Sequence, residues 1–145
     1  MLTRLSGRRA SVIVGGVIFV IAVTLGIMKL ISPPSVKLQK HVTLVYVGAE
    51  NCAPCEIWQH NQGTAFRNST KFRRLIYREV KSSSLFDVLK DENWPEDLRI
   101  YRHAIRQEAG VPLWLVIADE QLVMQSSGLT QWQAAVWPKI KSLLR

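Results

Sequence analysis

The sequence predicts an α/β domain, with a mixed central sheet flanked by helices, preceded by one N-terminal transmembrane helix. Three observations lead there. A charge-free apolar run lies near the N-terminus, short β-branched runs alternate with amphipathic stretches after it, and a Cys-x-x-Cys pair stands where the first strand gives way to a helix. In 145 residues of which 48% are hydrophobic, one core fits beyond the membrane segment. A multidomain enzyme, a disordered chain and a disulfide-dense mini-scaffold are excluded, since two cysteines cannot replace a core. The expected organisation is a cytoplasmic N-terminus over 1–9, an anchor over 10–31, a linker over 32–41 and the folded domain over 42–145.

The anchor rests on the nineteen residues from Ala10 to Met28, none of them charged and many of them Val or Ile. A cleaved signal peptide has a shorter apolar stretch and a small-residue cleavage site, and Thr24-Leu25-Gly26-Ile27-Met28-Lys29 offers none. Arg8-Arg9 is better read as positive-inside charge than as a twin-arginine signal. With Arg4 it orients the chain N-in, and its C-terminal domain across the membrane. The net charge of +8 belongs in part to these flanks: beyond Lys29 fifteen Lys/Arg face eleven Asp/Glu. That is an ordinary basic surface, which argues against nucleic acid as a partner.

Ser32-Pro33-Pro34-Ser35 cannot continue a helix and forms the linker. Val42 to Val47 is a β-branched and aromatic run expected of a strand buried on both faces, and Gly48 to Asn51 breaks it. Cys52 to about Phe66 reads as a helix, with Asn51 as N-cap and Pro54 in the tolerated first turn, weakened later by Gly63. Arg74 to Val80 is the second strand. Leu85 to Leu89 adds a turn of helix, and Pro95 opens a longer one through Gln107, with Leu98, Tyr101 and Ile105 at helical spacing. Leu113 to Ala118 and Leu122 to Gln125 flank Asp119-Glu120 as a hairpin, and Gly128 ends the last strand. Thr130 caps a terminal helix to Leu144 with Trp132, Val136, Ile140 and Leu143 on one stripe, bent at Pro138.

Cys52-Ala53-Pro54-Cys55 carries the chemistry. The thiolate is the nucleophile, and a helix N-terminus stabilises it with free N–H groups and the positive dipole end, where Cys52 lies. Cys55, one turn on, faces the same side and can resolve a mixed disulfide, while Pro54 fixes the backbone between them. Other uses compete. Zinc needs about four ligands, and only His41, His60 and His103 are available to complete a set, so no metal is expected. Covalent haem needs His after the second Cys, where Glu56 stands. A structural staple suits an exported domain, yet so short a loop gains little from closure.

With these residues in this order, the chain from about Val42 to Leu144 resembles the thioredoxin superfamily, specifically membrane-tethered thioredoxin-like proteins of the bacterial envelope. The strand into Cys52-Ala53-Pro54-Cys55, Gly110-Val111-Pro112 and the hairpin ending at Gly128 carry the likeness. It implies a thioredoxin-like fold and thiol–disulfide exchange with protein thiols or disulfides in the periplasm. It also implies an inner-membrane location through residues 10–31, and no cofactor. It implies too that Pro112 is cis and that Val111 presents its backbone to a substrate segment.

The chain departs from the family pattern. Asn51 stands where Trp precedes the first Cys, Tyr46 where a buried Asp lies, and Leu113 where Thr often follows the proline. The distance from Cys55 to Pro112 leaves room for an insertion at Ser82 to Pro95 that shapes partner choice. Glu56, four residues after Cys52, is expected to oppose the Cys52 anion, or else to accept the Cys55 proton in place of the missing acid. His60 reads as a surface or packing histidine, the basic run Arg67, Lys71, Arg73, Arg74, Arg78, Lys81 as a solvated face, and the five tryptophans as core and rim. The competing function is a non-enzymatic assembly or metal-delivery factor in an envelope complex.

Overall fold

A computed structural model describes residues 41–106 and 109–145. The expected cytoplasmic segment, anchor and nearly all of the linker lie outside the described residues. Among those described, no helix is long and apolar enough to cross a membrane.

Strand β1 (Val42–Ala49) is buried along almost its whole length, as its continuous apolar run requires. It pairs in parallel with β2 (Ile76–Ser82) and antiparallel with β3 (Leu113–Ala118), which pairs antiparallel with β4 (Gln121–Ser127). The sheet order is β2-β1-β3-β4. Asp119 and Glu120 turn the hairpin with φ of 47° and 66°, and Gly128 leaves β4 at φ 94°, a conformation glycine takes without Cβ strain. The second strand begins two residues later than the sequence reading, because Phe72–Arg74 is a 3-10 turn and Thr43 first pairs with Ile76.

Alternation along β1 and β3 divides the core. Leu44, Tyr46, Trp114 and Val116 face one layer, and Val45, Val47, Leu113, Leu115 and Ile117 the other. The first layer is covered by the helical run that opens with α1 (Ala53–Trp58), passes through a π-helical turn (Gln59–Gly63) and closes with α2 (Thr64–Arg67). Gly63 packs within 3.1 Å of the Trp58 ring when given a Cβ, so its small size, rather than weakness, is what the helix uses. The C-terminal π-helical turn (Trp132–Val136) and α4 (Trp137–Leu143) complete this layer. Pro138 lies in the first turn of α4, directly after the π turn. No side chain caps this run, contrary to the role expected of Thr130; the Thr130 carbonyl instead accepts from Ala134 N–H.

The second layer departs most from expectation. Leu85 to Leu89 forms turns rather than helix, and the helix expected from Pro95 to Gln107 is a 3-10 turn (Glu96–Leu98) followed by α3 (Arg99–His103). Gln107 lies outside the described residues. Leu98 and Ile105 are buried here, as their spacing predicts.

Candidate active site

Both cysteines fall at the C-terminal end of the central strand, where β1 leaves the sheet and α1 begins. They form a disulfide, Cys52–Cys55. Cys52 itself is the N-cap, with extended backbone, and its Sγ accepts the Cys55 N–H at 3.2 Å. Asn51, expected as the cap, does something else. Its Oδ1 accepts the Leu85 N–H at 2.9 Å, tying the 83–95 segment to the residue before the dithiol. Pro54 sits in the first turn of α1, needing no N–H partner there.

The cysteines are 4% and 3% exposed, Cys52 and Cys55 respectively. The Val111–Pro112 peptide bond is cis, and the Val111 carbonyl oxygen lies 3.8 Å from Cys52 Sγ. The Pro112 carbonyl accepts from Gly128 N–H at 2.9 Å, joining the start of β3 to the end of β4. Thus Cys52, Cys55, Val111 and Pro112, far apart in sequence, meet at one end of the sheet.

A half-open cavity of about 310 Å³ adjoins the disulfide, lined by Tyr46, Glu50, Gln59, His60 and Lys81 among others, together with Glu56. The Glu56 carboxylate is well exposed and faces His60 Nε2 at 3.9 Å, one turn on. Tyr46 stacks on Trp58 at 4.8 Å between ring centres. Its hydroxyl passes over the backbone at Gly48, where an added Cβ would lie 2.5 Å from the oxygen. Burial pushes the Tyr46 phenol above its ordinary value, opposed by a hydrogen bond from Gln59. At neutral pH this position therefore carries a neutral hydroxyl.

As site residues the sequence singled out the cysteines and the proline loop but not Gly48, Gln59 or Lys81, which meet only through the strand pairing of Gly48 with Lys81 and the π-helical turn that follows α1. The basic run does not form one patch. Arg67 donates to the Gln59 carbonyl, Lys71 to the Leu144 carbonyl, Arg78 pairs with Asp97 and Lys81 with Glu79. Trp58, Trp94, Trp114 and Trp132 are core, as read.

Strand order, the dithiol at the first strand–helix junction and the cis-proline opposite it together define the architecture. The fold is thioredoxin-like. No protein-family model matches the chain, and no curated protein matches it. Among solved structures, a thioredoxin from Malassezia sympodialis (Mala s 13) is similar at 14% identity and a TM-score of 0.47, over 72% of this chain and 82% of that one. Trxlp from Edwardsiella tarda EIB202 is similar at 23% identity and a TM-score of 0.47, over 74% of this chain and 86% of that one.

Proposed function

We propose that this protein is a membrane-anchored thiol–disulfide oxidoreductase that exchanges disulfides with partner proteins in the periplasm. The observation that carries the chemical part is the Cys55 N–H directed at Cys52 Sγ at 3.2 Å, with the Val111 carbonyl at 3.8 Å on a loop opposite. An N–H donor at the sulfur lowers the free energy of its anion, so Cys52 is the attacking thiol and Cys55 the resolving one. Anchoring and compartment are supported by the apolar run from Ala10 to Met28 and the arginines before it.

In the reducing direction the Cys52 thiolate attacks one sulfur of a partner disulfide. A mixed disulfide forms and the second partner sulfur leaves as a thiolate, which takes up a proton. Cys55, having given up its own proton, then attacks Cys52 Sγ and expels the first partner sulfur. Two thiols of this chain are oxidised and one partner disulfide becomes two thiols. The reverse sequence donates the Cys52–Cys55 disulfide. Net flow follows the potential difference to the partner, so the reduction potential of this couple assigns the direction.

The test is trapping. Cys55→Ser should accumulate a mixed disulfide through Cys52, visible on non-reducing gels, whereas Cys52→Ser should trap nothing and lower exchange by at least about 10³-fold. Faster alkylation of Cys55 than of Cys52 in the reduced protein would reverse the roles. A partner complex that survives Cys52→Ser in a protein with no exchange activity would favour the assembly or metal-delivery reading instead.

A further inference from the structure

Phe86 is 92% exposed, and its neighbour Leu85 is also exposed. Leaving such side chains in water forgoes the gain from burying them. The segment holding them is not loosely attached. Ser82 Oγ donates to the Ser84 carbonyl, and the Phe86 N–H to Ser84 Oγ. Asn93 Nδ2 donates to the Asp87 carbonyl, Trp94 Nε1 to the Val88 carbonyl and Arg102 Nε to the Leu89 carbonyl. Val88 and Trp94 are buried beneath. The tip is thus held outward by the residues that follow it.

Two further bonds bring it to the dithiol. The Glu50 N–H donates to the Ser82 carbonyl at 3.0 Å, and the Leu85 N–H to Asn51 Oδ1 at 2.9 Å. Asn51 precedes Cys52, so these bonds tether the base of the apolar tip to the residue before the reacting sulfur. Cys52 is nearly buried, so a partner disulfide reaches it only if the partner's chain lies close against this part of the surface. Charge does not dominate there: Asp87 pairs with Lys90 at 2.7 Å and Asp91 with Arg102 at 2.9 Å.

We propose that Leu85 and Phe86 select substrates by binding an extended, apolar stretch beside the target disulfide of a partner protein. This rests on the thiol–disulfide reading above and adds to it the chemical class of the partner segment.

The full-length chain, reduced and then freed of excess reductant, is offered in single-turnover reactions two disulfide-bonded peptides that differ only in having Leu and Phe, or Ser and Gly, beside the cysteines, and Ellman's reagent as a small disulfide. The wild-type chain should reduce the apolar peptide with a second-order rate constant about tenfold higher than the polar one. Phe86→Ser should cut that preference to below about twofold while leaving the polar peptide and Ellman's reagent unchanged, and Phe86→Leu should restore most of it. A wild-type chain that reduces Ellman's reagent but shows no peptide preference overturns the selecting tip alone. So does a Phe86→Ser variant slowed on all three substrates alike, or a Phe86-dependent dimer whose loss leaves the preference intact. A wild-type chain that reduces none of the three overturns the oxidoreductase reading as well.

Discussion

The two faces of the sheet are covered in different ways. On the face of Tyr46 and Trp114, two helical runs bring Trp58, Phe66 and Trp132 into one aromatic cluster, with Trp58 5.5 Å from Trp114 and 4.9 Å from Trp132 between ring centres. On the face of Val45 and Leu115, aliphatic residues meet Val88, Trp94 and Leu98 from turns and short 3-10 segments. The tryptophans show the contrast. The indole nitrogens of Trp58 and Trp114 are buried with no hydrogen-bond partner among the described residues, whereas Trp94 Nε1 donates to the Val88 carbonyl at 2.9 Å. Ring packing holds the first face. Individual hydrogen bonds shape the second, and that is the face whose cover reaches the dithiol through Asn51.

The largest expected effect breaks the first face. Trp58→Ala removes the ring against which Tyr46, Trp114 and Trp132 all pack, and should lower the unfolding free energy by about 3–5 kcal/mol in a denaturant titration. Loss of much less would mean that the cluster repacks, and that its ring contacts matter less than supposed.

A smaller effect tests the second face. Trp94→Phe keeps most of the apolar volume but orphans the Val88 carbonyl, and should cost about 1–2 kcal/mol. Its signature is local: amide exchange should rise first over residues 83–95, where the hydrogen bond acts, and leave α1 protected. Uniform loss of protection would place both faces in one cooperative unit and erase the distinction.

The smallest effect lies at the exposed margin of β2. Burial alone would raise the Glu79 carboxyl, but hydrogen bonds from Lys81 and Tyr77 outweigh it and hold the group below its ordinary value. A carboxyl depressed in the folded state stabilises the fold above its unfolded pKa, and that contribution disappears as pH falls through the folded value. Glu79→Gln should therefore be less stable than wild type at neutral pH and converge with it in acid, checked by unfolding at both. Equal stability at neutral pH would show these edge contacts to be energetically idle.

The predictability of each region follows the same division. Strands β1 and β3 were readable because burial on both faces demands an unbroken apolar run, and the hairpin because Asp119-Glu120 and Gly128 punctuate it. The helical cover of the aromatic face was readable from Trp58 and Phe66 after a cysteine pair, although the π turns were not: they insert one residue into a periodicity that sequence alone reads as continuous. The other cover misled. Leu85 to Leu89 has the composition of a helix turn, yet Leu85 N–H is taken by Asn51 and the Leu89 carbonyl by Arg102, bonds from residues distant in the chain.

By itself, the sequence determined most of the element order, the unbroken apolar runs of the two central strands, and a Cys52-x-x-Cys55 pair set at a strand–helix junction, because these depend on neighbours along the chain. Tertiary structure alone decided that Cys52 caps its own helix while Asn51 reaches across to Leu85, and that a neutral Tyr46 hydroxyl fits over Gly48. It alone decided that the 83–95 cover, tied to Asn51 through the Leu85 N–H, carries an exposed Phe86. The physical reason is that a hydrogen bond or a close approach between distant residues forms only once the sheet has set its register, and no local propensity encodes which partner will be there.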